Sequence, residues 1–184
     1  LFFGKERTIK FYNYKICVNL RDYLVSRRIF LTGSWNIKVE KYLLNHIKKK
    51  MFVVDAGANI GALTILISHK VGTNGKVIAF EPDKRNIKFL KKNIKLNSLK
   101  NVDLYPFILS DNNKEKLFYV DKNYYGSSTI LKSELPTNLL KKSKTKSVTL
   151  DHIISKNYKK VDFIKVNIEG SEVPFLKGAI KIIK

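Results

Sequence analysis

The sequence predicts an α/β protein built on a doubly wound parallel sheet. From Met51 onward, short apolar runs typical of strands buried on both faces alternate with stretches of helical periodicity. Glycines or carboxylates follow these runs, as in sheets whose ligands bind at the carboxyl ends of the strands. The length of 184 residues fits one domain of ordinary size.

The stretch before Met51 has a different character. Residues 9–12 and 14–18 combine aromatic with β-branched side chains, which favours a small pair of antiparallel strands. We therefore divide the chain into an N-terminal appendage, residues 1–36, and a main domain, residues 37–184. The first helix is predicted over residues 36–47, where apolar side chains recur on one stripe.

Three strands and two helices form the regular part of the prediction. The strands occupy residues 51–56, 76–80 and 102–109. Between these strands lie two helices. The first of the two ends at Gly72, and the second begins at Pro82 and Asp83, because these residue types are common at those helix ends. The side chains expected to face inward are Leu63, Leu66, Ile67 and Val71 in the first helix and Ile87, Leu90 and Ile94 in the second.

Residues 112–150 interrupt the alternation. Two short strands, at residues 117–120 and 146–149, are predicted to flank a long loop. A fourth buried strand follows at residues 161–168, and Ser171 is expected to cap a last helix. We expect the sheet to be truncated after this strand and its helix. The expected inward residues of that helix are Phe175, Leu176, Ala179, Ile180 and Ile183.

The charge balance is strongly basic. There are 36 lysines and arginines against 15 acidic residues, which gives a formal net charge of +21. Such a charge suggests a nucleic-acid or anionic-membrane partner. The only arginines, however, are Arg7, Arg21, Arg27, Arg28 and Arg85. Because base readout favours arginine, we expect solvated lysines that bind nucleic acid only non-specifically.

Other composition features narrow the class of protein. The single cysteine, Cys17, excludes an internal disulfide, and three scattered histidines offer no metal-ligand spacing. No apolar run approaches the ~20 residues needed to cross a bilayer. The sequence therefore predicts a soluble, cytoplasmic protein without a metal site or a membrane span, and it indicates no oligomeric state.

The strand ends carry a candidate nucleoside site. After the first strand, Gly57 and Gly61 allow a tight turn against a helix start, whose N–H groups favour an anionic group. Glu81 follows the second strand and could accept hydrogen bonds from two ribose hydroxyls, while Ser110 and Asp111 could contact an adenine edge. The spacing matches neither a dinucleotide fold nor a P-loop, which favours S-adenosylmethionine over NAD(P).

Six motifs in register resemble the FkbM-type methyltransferase family over residues 33–184. They are residues 55–61, 79–82, 109–111, 127–128, 148–151 and 164–172. The resemblance implies a Rossmann-like class I methyltransferase fold that uses S-adenosylmethionine, usually for O-methylation of a sugar or other small hydroxylated metabolite. Carried over by position, the cofactor residues would be Asp55, Gly57, Asn59, Gly61, Glu81 and Asp111. The family usually has an acidic residue where this chain has Asn167.

Candidate catalytic residues lie in the fourth strand and directly after it. Lys165, Asn167 and Glu169 alternate and so share one predicted face, and polar groups there are costly unless they have a role. Glu169 is the best candidate for a general base. A structural alternative is that Glu169 caps the next helix and that Lys165 faces solvent. A substrate lid could include Tyr124, Tyr125, Ser127 and Ser128, and His152 is expected on the surface.

Two other functions stay open. The basic charge suggests methylation of RNA or DNA, although the chain has no Pro-Pro pair of the kind used to hold a flipped base, and Cys17 precedes the cofactor motif. Asn167 and the expected truncation suggest a non-catalytic module that binds the cofactor without turnover.

Overall fold

The structure, a computed structural model, describes residues 6–121, 128, 130 and 140–184. The strands in these residues are β1 (Glu6–Phe11), β2 (Tyr14–Asn19), β3 (Phe52–Ala56), β4 (Lys76–Phe80), β5 (Val102–Tyr105), β6 (Ile108–Leu109), β7 (Glu115–Asp121), β8 (Leu140–Val148) and β9 (Phe163–Val166). The helices are α1 (Ser26–Thr32), α2 (Ile37–His46), α3 (Ala62–Val71), α4 (Lys84–Leu96), α5 (Leu150–Asn157), α6 (Glu172–Lys177) and α7 (Ile180–Ile183).

The central sheet is parallel and has the strand order β5-β4-β3-β9. The chain runs outward from β3 through β4 to β5 and then returns to place β9 on the other side of β3. The strand order therefore reverses between β3 and β9, at the kind of position where such sheets bind ligands. The predicted doubly wound α/β class is confirmed.

Alternate strand residues enter two cores on opposite faces of the sheet. Val53 and Val77 join a cluster with α2, α3 and the β1–β2 hairpin, whereas Val54 and Ile78 join one with α5 and α6. Helix α3 is buried around most of its circumference, not on one face as predicted, because the sheet and α2 both pack against it. In α4, Phe89 and Leu90 are buried while Ile87 and Ile94 are only half-buried.

The predicted N-terminal strands pair as an antiparallel hairpin, and α2 begins where Asn36 caps it. Helix α1 was not predicted. Phe11, Ile16 and Val18 are fully buried in the same cluster as α3. Asn93 of α4 accepts a hydrogen bond from the Cys17 N–H at 2.6 Å and donates to the Cys17 carbonyl at 3.1 Å, which joins the hairpin to α4. The division at residue 36 stays a prediction.

The third predicted strand, residues 102–109, is divided in two. Pro106 has no N–H to donate to a ladder, and the chain turns there, so that β5 stays in the central sheet while β6 pairs with β8. A second sheet of order β6-β8-β7 results. It contains both short strands predicted around the long loop. Tyr124, Tyr125 and Ser127 lie outside the described residues.

The last predicted helix is also divided, at Gly178. A Cβ at Gly178 would overlap the Ser110 carbonyl oxygen, so α6 and α7 lie on either side of this close approach. The Ser171 side chain makes no capping hydrogen bond. Phe175 and Ala179 are buried as predicted. Leu176, Ile180 and Ile183 are about half exposed, because the break at Gly178 prevents a single apolar stripe from facing the sheet along both helices. No helix in the described ranges combines the length and apolarity of a bilayer span.

Candidate active site

A cavity of about 270 Å³ lies where the central sheet reverses its strand order. The loop after β3, the residue after β4 and the segment after β9 all line it, so three strand ends converge on one space. Small-molecule cavities usually measure ~300–1,000 Å³, and this one is near the lower end of that range. The convergence agrees with the site predicted from the sequence.

The glycine loop, residues 57–61, is pressed between other parts of the chain. Gly57 has φ +77°, and a Cβ there would overlap the carbonyl oxygen of Asn167. The N–H groups of Gly57 and Ala58 both donate to the Phe80 carbonyl, at 3.0 and 2.9 Å. These loop N–H groups are therefore occupied within the protein. The first turn of α3, where Ala62 and Leu63 line the cavity, instead carries N–H groups without intrahelical partners.

Glu81 is a buried carboxylate in the cavity wall. It accepts hydrogen bonds from the backbone N–H groups of Asn59 at 2.8 Å and Asp83 at 2.9 Å, and a longer one from the Asn86 amide at 3.4 Å. A carboxylate has about four acceptor sites, so Glu81 retains capacity for a ligand hydroxyl. Burial raises the pKa of Glu81 to about 7. Its contribution to stability is therefore fully present below pH ~4.5 and is lost as the pH rises through about 7.

Asp55 and Lys165 form an ion pair behind the glycine loop. Asp55 is fully buried, accepts a hydrogen bond from the Thr64 hydroxyl at 2.7 Å and lies 3.0 Å from the Lys165 ammonium. The same ammonium donates to the carbonyls of Ala56 and Gly57, at 3.0 and 2.8 Å. The contact with Asp55 Oδ1 is an ion pair without hydrogen-bond geometry, and the two hydrogen bonds of the ammonium go to the carbonyls.

The pair bears on two predictions from the sequence. Asp55 does not line the cavity, because its carboxylate points to Thr64 and Lys165, and its predicted role in cofactor binding stays a prediction. The Lys165 side chain lines the cavity but is only 9% exposed, which excludes the solvent-facing alternative. The Lys165 ammonium contacts Asp55 and two backbone carbonyls, and its predicted catalytic role stays a prediction.

Asn167 and Glu169 also line the cavity, as predicted. They do not share a strand face, since β9 ends at Val166 and Glu169 has φ +48°. The Asn167 amide lies 3.5 Å from a Glu169 carboxylate oxygen. Burial, with the nearby charge of Glu172, raises the pKa of Glu169. Glu172 accepts the backbone N–H of Ile168, at 3.3 Å, whereas Glu169 lines the cavity.

Ser110 and Asp111, predicted to contact adenine, do not line the cavity. The turn at Pro106 carries them into the second sheet, where Ser110 is fully buried and donates to Asp111 at 3.0 Å. Lys116 pairs with Asp111 at 2.8 Å, and these contacts lower the pKa of Asp111. The cavity wall on this side is apolar and consists of Phe107, Ile108 and Leu109.

Sequence reasoning missed a wall built from the N-terminal region. Leu24, Val25 and Trp35 line the cavity. The backbone N–H of Trp35 donates to the buried carboxylate of Glu40 at 2.7 Å. Glu40 also accepts hydrogen bonds from the hydroxyls of Ser34 and Tyr12, at 2.6 and 2.8 Å. The signal that the sequence offered for this wall was its single tryptophan, which directly precedes Asn36, the N-cap of α2.

Part of the predicted lid does reach the cavity. Ser128 lines it and donates to Asp83, the N-cap of α4, at 2.9 Å. Arg85 pairs with the same Asp83 carboxylate at 2.6 Å and donates to the Asp121 carbonyl, also at 2.6 Å. Asp121, at the end of β7, and Ser128 are thus both tied to the start of α4. His152 is exposed, as expected.

The model of the methyltransferase FkbM domain matches residues 55–184, which cover most of the chain and most of the cavity wall. The chain belongs to the FkbM methyltransferase family. The resemblance seen in the six sequence motifs is thereby confirmed. Leu24, Val25 and Trp35 precede the matched segment, so one wall of the cavity in this FkbM-family chain lies outside the family domain.

Two curated relatives carry related names. The chain is 25% identical over 150 residues to Methyltransferase 1 of Beauveria bassiana (strain ARSEF 2860), covering 69% of this chain and 57% of that protein. It is 26% identical over 165 residues to Methyltransferase sdnD of Sordaria araneosa, covering 74% and 63%. The chain therefore spans about three fifths of the length of these relatives.

A solved structure supports the class I methyltransferase fold. The crystal structure of the FkbM methyltransferase from Methylobacillus flagellatus KT aligns with a TM-score of 0.50 at 18% identity, covering 88% of this chain and 42% of that one.

Proposed function

We propose that this FkbM-family chain binds S-adenosylmethionine and transfers its methyl group to a hydroxyl of a sugar or another small molecule. The observation that carries this proposal is the buried Glu81 carboxylate in the cavity wall, which also contains Ala62 and Leu63 from the first turn of α3. A carboxylate suits a ribose diol, and a helix N-terminus suits an amino-acid carboxylate. The residues present thus fit the ribose and the amino-acid carboxylate of the cofactor.

Each remaining wall has a role in this proposal. Ala62 and Leu63 would hold the carboxylate end, Glu81 the ribose, and the apolar wall at residues 107–109 the adenine. The bound cofactor would supply an electrophilic methyl group on a sulfonium. Gly57 and Asn59 would shape the loop between these contacts, since their positive φ angles direct its turn.

Glu169 is the proposed general base. Its carboxylate lines the cavity, and its raised pKa brings it nearer to neutral pH, where a base is most effective. It would accept the proton of the attacking hydroxyl. Asn167, where the family usually has an acidic residue, would orient Glu169 or the acceptor through its amide.

Loss of the Glu81 carboxylate should weaken binding of S-adenosylhomocysteine. A charge-assisted contact contributes ~1.5–3 kcal/mol, so we expect Glu81→Ala to lower the affinity at least about tenfold by calorimetry. Because the pKa of Glu81 is about 7, the wild-type affinity should rise from acidic pH through neutrality and then level off. Glu81→Gln should remove the part of this pH dependence that belongs to Glu81.

Asp111→Asn is the matched control for binding. Asp111 is predicted as a cofactor residue from its place after the third strand and from its family position, but its carboxylate lies outside the cavity and pairs with Lys116. Its affinity should equal that of the wild type. An unchanged affinity in Glu81→Ala would refute the cofactor assignment.

Glu169→Gln should lower the rate of methyl transfer by about a hundredfold, the lower end for a general base, because water can partly replace an exposed carboxylate. The release of S-adenosylhomocysteine with a panel of saccharides measures the rate. Glu172→Gln, which removes a neighbouring carboxylate outside the cavity, should retain most of it. Equal losses in the two variants would argue against a base at Glu169.

Nucleic-acid methylation is the second candidate because of the net charge of +21. The exposed lysines on α4, Lys88, Lys91, Lys92 and Lys95, would favour non-specific phosphate contacts. Cys17 is buried beneath α4 and is poorly placed as a nucleophile. The non-catalytic alternative is distinguished from both by cofactor binding without turnover.

A further inference from the structure

The exposed face of α1 combines apolar and cationic side chains. Tyr23, Arg27 and Phe30 are spaced i, i+4, i+7, as are Leu24, Arg28 and Leu31, so both sets lie on one side of the helix and its preceding turn. The Arg27 guanidinium lies 3.6 Å above the Tyr23 ring, which confirms that they share this side. Leu31 is 77% exposed and Leu24 47%. Ile29 and Val25, on the opposite side, are buried in the core.

The exposed charged side chains in the stretch of sequence that carries this face have one sign. Asp22 and Glu40 are the only acidic residues between Phe11 and Val54, and both are fully buried. Asp22 accepts the N–H groups of Leu24 and Ser26, at 3.1 and 2.8 Å, at the start of α1. The exposed basic residues of this region are Lys15, Arg21, Arg28, Lys38, Lys41, Lys48, Lys49 and Lys50.

We infer that the α1 face, defined by Tyr23, Leu24, Arg27, Arg28, Phe30 and Leu31, docks on an anionic phospholipid surface. Apolar side chains suit the acyl boundary of a bilayer. Arg27 and Arg28, with the exposed basic residues of the neighbouring sequence, suit its phosphate headgroups. A nucleic acid would satisfy the cations, but its phosphate backbone offers no apolar environment to Leu31. The lipid surface therefore accounts for both parts of the face.

Docking would also orient the cavity. Leu24 belongs to the α1 face and lines the cavity, beside Val25 and Trp35. The cavity rim formed by these residues would then lie at the level of the headgroups. The inference goes beyond methyl transfer, since it concerns where the cavity is held and is tested without cofactor or acceptor.

Co-sedimentation with vesicles tests the inference. The chain should bind vesicles of equal parts phosphatidylcholine and phosphatidylglycerol at least about tenfold more tightly than pure phosphatidylcholine, and high salt should weaken this binding. Leu31→Glu and Arg28→Glu should each weaken it about tenfold or more. Both side chains are exposed, so the unfolding midpoint should stay unchanged.

Matched substitutions elsewhere test whether vesicle binding depends on the α1 face or on the overall charge of the chain. Leu176→Glu places the same change at a 52% exposed leucine on α6, and Lys91→Glu reverses an exposed charge on α4. Near-wild-type binding by both controls supports the inference. Equal losses in all four variants, no binding to the anionic vesicles, or tighter binding to duplex DNA that depends on Leu31 would each overturn it.

Discussion

Replacing Gly57 by alanine is expected to lower the free energy of unfolding by about 2–5 kcal/mol. Gly57 has φ +77°, where an L side chain is strained by ~1–2 kcal/mol. The added Cβ would also overlap the Asn167 carbonyl oxygen, and backbone atoms on both sides would have to move, at a further ~1–3 kcal/mol. Chemical denaturation monitored by circular dichroism measures the loss.

Gly33→Ala isolates the contribution of the close approach. Gly33 has nearly the same φ, +70°, but a Cβ there would meet nothing within 4 Å. We expect this control to lose only the ~1–2 kcal/mol of conformational strain. If Gly57→Ala and Gly33→Ala lowered the free energy of unfolding equally, the close contact between the glycine loop and the segment after β9 would not contribute to the loss.

Lys165→Met is expected to cost about 3–5 kcal/mol of folding stability, because it leaves the fully buried Asp55 carboxylate without its counter-charge. The carbonyls of Ala56 and Gly57 would lose their shared donor as well. Adding Asp55→Asn to Lys165→Met should restore part of the stability, since the uncompensated charge is then removed. Urea denaturation of the two variants provides the comparison.

An exposed ion pair in the same sheet gives the matched control. Lys76 on β4 lies 3.1 Å from Asp103, but these side chains are 28% and 39% exposed. Lys76→Met should therefore cost no more than ~1 kcal/mol. A similar loss for both lysines would mean that burial does not govern the Lys165 pair.

The parts of the fold that the sequence predicted well are local in origin. The strands at residues 52–56 and 76–80 carry their own apolar signal, and Gly72 and Asp83 mark helix ends within the adjoining turns. The glycine loop and Glu81 each follow such a strand directly. Their meeting in one cavity follows from parallel pairing alone.

The errors arise where distant contacts decide the conformation. The division of the third strand depends on β6 finding β8, almost forty residues away along the chain, and it removes Ser110 and Asp111 from the cavity. Lys165 was predicted as a catalytic candidate, and only the structure places its ammonium against Asp55 and two carbonyls. Leu24 and Val25 reach the cavity through tertiary packing that no local pattern encodes.

The position of Trp35 makes this chain its own spectroscopic probe. It is the only tryptophan in the sequence, and it is held at the cavity through its backbone contact with Glu40. Indole emission responds to the polarity and the stacking partners around the ring, so fluorescence excited selectively in tryptophan originates at the cavity wall and nowhere else in the chain. Occupation of the cavity can thus be followed in the unlabelled protein, without an acceptor and without turnover.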